Sequence, residues 1–278
     1  MSEDFAPGRA LRLAPGVRRI VAPNPGPLTD PGTNTWLVGE GELAVIDPGP
    51  ADPAHVDAIV EAGAGRIGWI LATHTHRDHS AACMLLRERT GAIVVGRRAP
   101  DDGRQDRRFR PDVEPADGER ILLDGHALRC VPTPGHASNH VCWLLEEAGL
   151  LFSGDHILGH VTPVILPPDG DMGDYLDSLA RLRTLSLTRI APGHGPLLDD
   201  PAAVIDGLVA HRLRREAKVS AALDAARVAS LDELLPRVYD DVDALLHELA
   251  RNTLLAHLIR LERIGEALRS GEGWRRAR

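Results

Sequence analysis

The segment THTHRDHS (residues 73–80) concentrates metal-binding side chains in a short stretch of the sequence. His74 and His76 lie two residues apart at the end of an apolar run, and Asp78 and His79 follow directly. Side chains two residues apart in an extended chain project to the same side, so the two histidines can hold one metal ion. Asp78 and His79 can hold a second ion close by. The alternative is a surface loop that merely contains histidines, but this spacing seldom arises by chance.

Further candidate ligands follow three later segments that are typical of strands. A site for two ions needs about six or seven ligands, which is more than the first segment supplies. His136, Asp155 and His194 each come shortly after such a strand, and each stands next to a glycine. A glycine allows the backbone to approach an ion closely. The sequence therefore predicts a centre for two metal ions with ligands from four separate segments.

The elements that must position these residues alternate between strands and helices. Asp52 before Pro53 predicts a helix that ends at Gly63, because a capping aspartate followed by proline is a helix start. Further helices are predicted over Ser80–Arg89 and from about Asp174 to Leu187. The predicted strands are Thr35–Val38, Glu42–Ile46, Gly68–Ala72, Ala92–Val95, Ile121–Leu123, Ala127–Val131, Val141–Leu145, Leu150–Phe152 and Arg189–Ala191. This order indicates an α/β fold.

The length of 278 residues fits one large α/β domain and a small second one. The β pattern stops near residues 200–210, so we predict a catalytic domain over 1–205 and a helical domain over 206–278. Within the second domain, Ser230 can cap a helix, and Leu245–Leu261 has apolar residues at helical spacing. A basic tail, Trp274–Arg278, follows. This order predicts a winged-helix-like module.

Charge, apolar stretches and cysteine content limit the classes of partner and location that this sequence fits. The hydrophobic content is 43% and the net charge is −8, with 19 basic and 29 acidic residues before residue 210 and 13 and 11 after it. That distribution does not require nucleic acid as a partner. No apolar stretch approaches the ~18 residues of a membrane span, and the first residues lack the apolar part of a signal peptide. We therefore expect a cytoplasmic protein without a membrane partner. The three isolated cysteines indicate neither disulfides nor a thiolate zinc site.

Asp47, the run from His74 to His79, His136, Asp155 and His194 occur in the order of a known family's motifs. Through these residues the sequence resembles the metallo-beta-lactamase superfamily over roughly residues 17–200. The resemblance implies an αββα sandwich with two metal ions at one edge between the sheets. It implies that His74, His76 and His136 hold the first metal ion, that Asp78, His79 and His194 hold the second, that Asp155 bridges them, and that Asp47 orients the ligand loop.

A centre of this kind predicts hydrolysis without a serine or cysteine nucleophile. Two zinc ions about 3.5–4 Å apart share a water molecule and lower its pKa, so that hydroxide is available near neutral pH. Iron and manganese are alternatives to zinc. Asp78 and His160 are the candidate catalytic residues, the latter as a proton donor to the leaving group. The alternative for His160 is an ordinary loop residue.

Within the superfamily the sequence resembles the beta-lactamase-like protein 2 group, which includes endoribonucleases and thioester hydrolases. The resemblance rests on Pro23–Pro27, Gly32–Thr35, Pro134–His136, Ser153–Gly159 and His211–Arg215. The leading hypothesis is a dinuclear zinc hydrolase of a small ester or thioester. The first alternative is a zinc endoribonuclease on single-stranded RNA, which the acidic catalytic domain and the aromatic content of 3% disfavour. The second alternative is a non-catalytic nucleic-acid-binding regulator. The oligomeric state stays open.

An arginine-rich segment follows the predicted strand Ala92–Val95. It contains Arg97, Arg98, Arg104, Arg107, Arg108 and Arg110, interrupted by three aspartates. A solvated loop is the simpler interpretation, and a contact with phosphate or coenzyme A is the alternative.

Overall fold

The computed structural model describes residues 5–159, 161–225 and 228–277. The chain forms two compact units. The first unit comprises Met1–Thr133, Asn139–Pro163 and Leu185–Pro201, and the second comprises Pro134–Ser138, Val164–Thr184 and Ala202–Arg278. The domain boundary at residue 205 stays a prediction.

The first sheet of the first unit has six strands in sequential order. They are β1 Leu11–Ala14, β2 Val17–Val21, β3 Asn34–Val38, β4 Leu43–Ile46, β5 Ile67–Leu71 and β6 Ile93–Val95. Strands β1 to β4 pair antiparallel, whereas β4, β5 and β6 pair in parallel. Parallel neighbours need a crossover, which α1 (Pro53–Gly63) supplies first and α2 (Arg77–Ser80) with α3 (Cys83–Thr90) supplies next.

The second sheet of the first unit also has six strands, in the reverse order from β12 to β7. They are β7 Arg120–Leu123, β8 His126–Pro132, β9 Val141–Leu145, β10 Leu150–Gly154, β11 Arg189–Pro192 and β12 Leu198–Asp199. Strands β10 and β11 pair in parallel, and the other neighbours pair antiparallel.

Alternation along the strands divides the apolar residues of the first unit between two cores. Trp36 and Val38 of β3 belong to the core that the two sheets share, whereas Leu37 between them belongs to the core under α1 and α3. This division follows because successive strand side chains point to opposite faces. In the shared core, Trp36 packs against Phe152 with ring centroids 5.6 Å apart.

The start of α1 confirms the prediction from Asp52 and Pro53. The Asp52 carboxylate accepts a hydrogen bond of 2.8 Å from the backbone N–H of His55. The helix ends at Gly63, and Ala64 follows in the left-handed conformation. Local capping chemistry was therefore sufficient to place both ends of this helix.

The second unit contains the remaining helices and a short hairpin. Its elements are α4 Met172–Arg183, α5 Pro201–Asp224, of which Ala202–Asp224 lies in this unit, α6 Leu231–Val238, α7 His247–Arg263, β13 Ala267–Ser270 and β14 Gly273–Arg276. Ser230 caps α6, as predicted, and its backbone N–H donates to Glu233 in a capping box. Leu234, Leu254 and Trp274 lie in one apolar core that joins α6, α7 and the hairpin. This arrangement confirms the winged-helix-like module.

Three predictions about elements need correction. The helix predicted over Ser80–Arg89 is divided into α2 and α3, because the Ala82 N–H donates to the carbonyl of Gly49 (3.0 Å) and leaves the helical pattern. The helix predicted from Asp174 to Leu187 begins at Met172 and ends at Arg183, since Asp171 provides the cap.

The prediction that strands stop near residues 200–210 was wrong, because β13 and β14 follow α7. Trp274 belongs to this hairpin and is buried, so the predicted basic tail is in large part a strand. Among the described residues, no helix has the length and apolar character that crossing a membrane requires.

Candidate metal centre

Three predicted ligands of the first unit and the predicted orienting residue Asp47 follow the ends of parallel strand pairs. Asp47 comes directly after β4, and His74 comes shortly after β5, its parallel neighbour. In the second sheet, Asp155 follows β10 and His194 follows β11, which are also parallel neighbours. The carboxyl ends of parallel neighbours meet at the same sheet edge, so each pair is brought together by its sheet.

Potential ligand atoms of these segments converge in two overlapping groups. Asp78, His79 and His194 form one group, and His74, His79 and Asp155 form the other, with the atoms of each group within 4.8 Å of one another. His79 Nε2 lies 3.4 Å from Asp78 Oδ2 and 3.2 Å from Asp155 Oδ1. His194 Nε2 lies 3.3 Å from each of the same two oxygens. Nitrogen and oxygen donors therefore surround one small space.

The buried His79 ring provides a test of whether a cation fits this space. Its Nε2 is buried and makes no hydrogen bond with any described residue, although two carboxylate oxygens lie nearby. A buried polar atom normally has a partner, because leaving it unsatisfied costs free energy. A divalent cation among two imidazoles and two carboxylates would satisfy all of them, and this donor set suits zinc, iron or manganese.

Asp47 is hydrogen-bonded to the ring of His79 directly and is linked to the ring of His74 through Thr73. Its Oδ2 accepts from His79 Nδ1 (2.9 Å) and from the Thr73 hydroxyl (2.8 Å), while its Oδ1 accepts from the Thr73 N–H (2.8 Å). Because the Thr73 hydroxyl donates to Asp47, it accepts from His74 Nδ1 at 3.0 Å. The Nδ1 atoms of His74 and His79 are therefore occupied by these hydrogen bonds, and the Nε2 atom of each ring faces the other potential metal ligands. These contacts are those expected of an orienting carboxylate, and the role of Asp47 stays a prediction.

His76 lies beside His74, as the two-residue spacing predicted. His76 Nδ1 lies 2.9 Å from His74 Nε2, and the two rings meet edge to face at 4.6 Å. His76 is half-buried, whereas His74 is buried. Two ring nitrogens that face each other at this distance can share a proton or hold a common cation.

Burial and charge act in opposite directions on the titrating groups of the cluster. Burial alone raises the pKa of Asp78, but the charges of His79 and His194 lower that pKa to about 2. Burial also raises the pKa of Asp155, and the same histidines bring it well below its usual value. Conversely, burial lowers the pKa of His194, but Asp155 and Asp78 raise it to about 9. The carboxylates are thus ionised at neutral pH, and a metal ion would replace the imidazole protons.

His136 lies in the second unit, in the short segment Pro134–Ser138. Its Nδ1 donates to the carbonyl oxygen of Val164 at 2.8 Å, so Nε2 is the candidate ligand atom. Gly135, beside it, has φ +143 and packs so tightly on Tyr175 that a Cβ would lie 2.4 Å from the Tyr175 Cα. The role of His136 as a metal ligand stays a prediction. His160, the predicted proton donor, lies outside the described residues.

Comparison with known families identifies the chain. The model of the metallo-beta-lactamase superfamily matches residues 28–194, and the model of the beta-lactamase associated winged helix domain matches residues 230–274. The chain belongs to the metallo-beta-lactamase superfamily. It is therefore a metal-dependent hydrolase by family, and the His/Asp cluster is the group of described residues that could hold the metal.

Individual relatives agree with this membership. A Beta-lactamase-like protein 2 homolog of Caenorhabditis elegans is 33% identical over 83% of this chain and 78% of its own length. An atrochrysone carboxyl ACP thioesterase of Aspergillus chevalieri is 35% identical over 78% of this chain and 68% of its own length. A crystal structure of a metallo-beta-lactamase family protein of Thermus thermophilus superposes with a TM-score of 0.78 at 27% identity, over 95% of this chain and 100% of that one.

Close backbone approach explains two glycines of this superfamily member. A Cβ on Gly193 would lie 2.6 Å from Asp155 Oδ1 and 2.7 Å from His79 Cε1, so this position has no room for a larger residue. Gly154 has φ +47, and a Cβ there would lie 2.4 Å from the Thr73 hydroxyl oxygen. The glycines next to the predicted ligands therefore permit the ligand segments to touch each other.

Sequence reasoning missed residues that hold the ligands in place. Thr73 connects Asp47 to His74, as described above. The Asn34 amide donates to the carbonyls of Pro192 (2.9 Å) and Gly195 (2.8 Å) on either side of His194. Thr73 and Asn34 are both small polar residues at one end of a strand, and that position was the only signal in the sequence. A single sequence does not show which ligand segment each of them contacts.

A small cavity beside His194 was also missed. Its other lining residues are Pro27, Leu28, Asp30, Leu158 and Val161. Leu28 and Val161 are large apolar side chains with 51% and 56% exposure. The cavity therefore offers apolar surface at the edge of the metal centre.

Proposed function

We propose that this chain is a two-metal thioester hydrolase that acts on small acyl substrates. The observation that carries the proposal is the apolar cavity at His194, because it brings apolar surface to a ligand of the metal centre. Binding of an acyl group to such surface is favourable because apolar area is removed from water, whereas a ribose-phosphate backbone has little apolar area to bury. Asp30 in the same lining would repel a phosphate. The name of the Aspergillus chevalieri relative, a thioesterase, supports the same substrate class.

The residues of the centre have distinct proposed roles. His74, His76 and His136 would hold the first metal ion, Asp78, His79 and His194 would hold the second, and Asp155 would be a ligand shared by the two sites. Two divalent ions, zinc in the first place with iron or manganese as alternatives, would supply Lewis acidity and a reactive water. Asp78 is also a candidate catalytic residue, since, despite burial, the charges of His79 and His194 lower its pKa to about 2 and keep the carboxylate ionised for a cation. Asp47 holds the rings of His74 and His79 through the contacts described above.

Other functions fit the same residues less well. An endoribonuclease must neutralise several phosphates along an extended track, which the net charge of −8 does not favour. A non-catalytic regulator has no need of the full donor set, yet all seven predicted metal ligands are present in the sequence. The cytoplasmic location stays a prediction.

The deciding experiment is a parallel assay of the wild type and His76→Ala on a panel of acyl thioesters and on a labelled single-stranded RNA. We expect thioester turnover that disappears in the variant, together with little RNA cleavage. Metal analysis of the purified wild type should give about two ions per chain.

RNA cleavage that is lost in His76→Ala and falls sharply with added salt, beside no thioester turnover, would reverse the proposal. Absence of any bound metal, together with nucleic-acid binding, would instead favour the regulator. Circular dichroism of the variant excludes unfolding as the reason for lost turnover.

A further inference from the structure

The arginine loop, residues 97–110, is a local positive region on an acidic protein. It carries six arginines and three aspartates, a difference of three positive charges, whereas the whole chain has a net charge of −8. Concentrated positive charge on such a background attracts anions by local potential rather than by net charge.

This loop is attached directly to the turn that carries His74 and His76. The backbone N–H of Asp106 donates to the carbonyl of Thr75 (2.7 Å), and the Thr75 hydroxyl donates to Gln105 Oε1 (2.5 Å). Thr75 stands between the two histidines in the sequence. The middle of the arginine loop is therefore in contact with the metal-binding turn.

The beginning of the loop is attached to the same turn through Asn139. The Asn139 amide donates to the Thr75 hydroxyl (2.6 Å) and to the backbone carbonyls of Arg97 (3.4 Å) and Arg98 (3.1 Å). Two separate parts of the loop thus share one support, so the loop cannot move far from the centre without breaking several buried or part-buried hydrogen bonds.

Buried anchors alternate with exposed arginines along the loop. Gln105, Asp106 and Phe109 are buried, with 2%, 6% and 1% exposure. The exposed residues between and beside them are Arg104, Arg107, Arg108 and Arg110. Since each of these arginines is the chain neighbour of a buried anchor, about 3.8 Å away between Cα atoms, their backbone positions are fixed before any ligand binds.

Two guanidinium groups of the loop are available to an anion. Arg107 pairs with Asp101 at 3.3 Å, and both side chains are largely exposed, so this ion pair is weak. Arg108 forms no ion pair with any described residue. Arginine also presents several donors in a planar arrangement that matches the oxygens of a phosphate.

We propose, on the basis of the thioester hydrolase function proposed above, that the arginine loop binds the phosphate of a phosphopantetheine group. Acyl-carrier proteins and coenzyme A share this group, which carries the acyl thioester at the end opposite to the phosphate. The acyl end then lies at the metal centre, and the loop determines which carriers are accepted.

The test compares three substrates with the same acyl group: acyl pantetheine without phosphate, acyl phosphopantetheine, and acyl-coenzyme A. The variant is Arg104→Ala/Arg107→Ala/Arg108→Ala. We expect its KM to rise about tenfold or more for both phosphorylated substrates, with kcat unchanged, and its KM for acyl pantetheine to stay at the wild-type value. The matched control, Arg12→Ala/Arg87→Ala/Arg89→Ala, removes three exposed, ion-paired arginines of the same unit and should leave all three KM values unchanged.

Equal KM changes for acyl pantetheine and acyl phosphopantetheine would overturn the assignment, and so would the absence of any change. A rise for acyl-coenzyme A alone would assign the loop to the nucleotide part and also overturn it. If the wild type hydrolyses none of the three, the proposed function fails, and calorimetric binding of phosphopantetheine to wild type and triple variant still tests the loop. Loss of RNA binding without loss of phosphopantetheine binding would contradict the inference.

Discussion

Two buried clusters of histidines and carboxylates differ in how their charges are balanced. The metal cluster of the first unit consists of Asp78, His79, Asp155 and His194. The helix cluster of the second unit consists of Glu216, His257 and Arg260. In the helix cluster, Glu216 bonds to His257 Nδ1 at 3.2 Å and accepts a hydrogen bond from Arg260. In the metal cluster, each imidazole faces two carboxylate oxygens.

The difference explains why the metal cluster, and not the helix cluster, is the candidate site for a metal ion. An arginine stays charged at all ordinary pH values, so Arg260 balances Glu216 permanently. Burial lowers the pKa of His257 despite the contact with Glu216, so this imidazole stays neutral at neutral pH. In contrast, the carboxylates of the metal cluster raise the pKa of His194 to about 9. An imidazole proton can be exchanged for a metal ion, but a guanidinium cannot.

The largest expected effect comes from removing a donor of the metal cluster. Asp78→Ala and His194→Ala should each reduce turnover about a thousandfold, because charge stabilisation worth several kcal/mol is lost. Bound metal should fall from about two ions to about one per chain. Metal analysis and steady-state kinetics measure both quantities. Full activity with one bound ion would establish a mononuclear mechanism instead.

The helix cluster should respond in stability rather than in metal content. Glu216→Gln leaves Arg260 and His257 without their carboxylate, and breaking a buried pair costs about 3 kcal/mol of unfolding free energy. Chemical unfolding measures this loss. The control is Asp232→Asn, which removes an exposed ion pair with Arg251 and should cost well under about 1 kcal/mol. Loss of bound metal in folded Glu216→Gln would show that the two clusters are not distinct in function.

A smaller effect is expected from the residue that orients the metal cluster. Asp47→Asn keeps the side-chain shape but weakens the contacts with His79 and Thr73, so metal affinity should fall about 10- to 100-fold. Competition with a chromophoric chelator measures this affinity. Asp52→Asn is the matched control, since asparagine caps a helix as well as aspartate does. Equal affinities in wild type and Asp47→Asn would exclude an orienting role.

The smallest effect concerns His55, a buried histidine that bonds to the Thr35 hydroxyl at 2.9 Å. Burial lowers its pKa from 6.5 to about 4. The unfolded chain therefore takes up the proton first, so stability is complete above about pH 6.5 and falls as the pH decreases toward 4. At pH 5.5 the loss relative to pH 7.5 should be about 1 kcal/mol.

His55→Gln removes this titration. Unfolding curves of the metal-free wild type and of metal-free His55→Gln at both pH values give the change in unfolding free energy with pH for each protein. The same pH dependence in the variant and the wild type would show that other groups are responsible.

Capping signals and strand runs allowed much of the fold to be predicted from local chemistry. The ends of α1 and the capping box at Ser230 depend on residues within a few positions of each other. The hairpin of β13 and β14 was missed because its strands have four residues each and several arginines. Its stability depends on Trp274 in the core of the second unit, which no local pattern indicates.

The sequence by itself determined the types of candidate ligand and the segments that carry them, because the histidine spacing at residues 73–80 and the glycines beside the later candidates are local features. Only the tertiary structure decided which supporting residues meet those segments. Asp47 reaches Thr73 across 26 positions, and Asn139 reaches Thr75 across 64. The physical reason is that such contacts depend on the order and register of the strands, which bring distant strand ends to one edge.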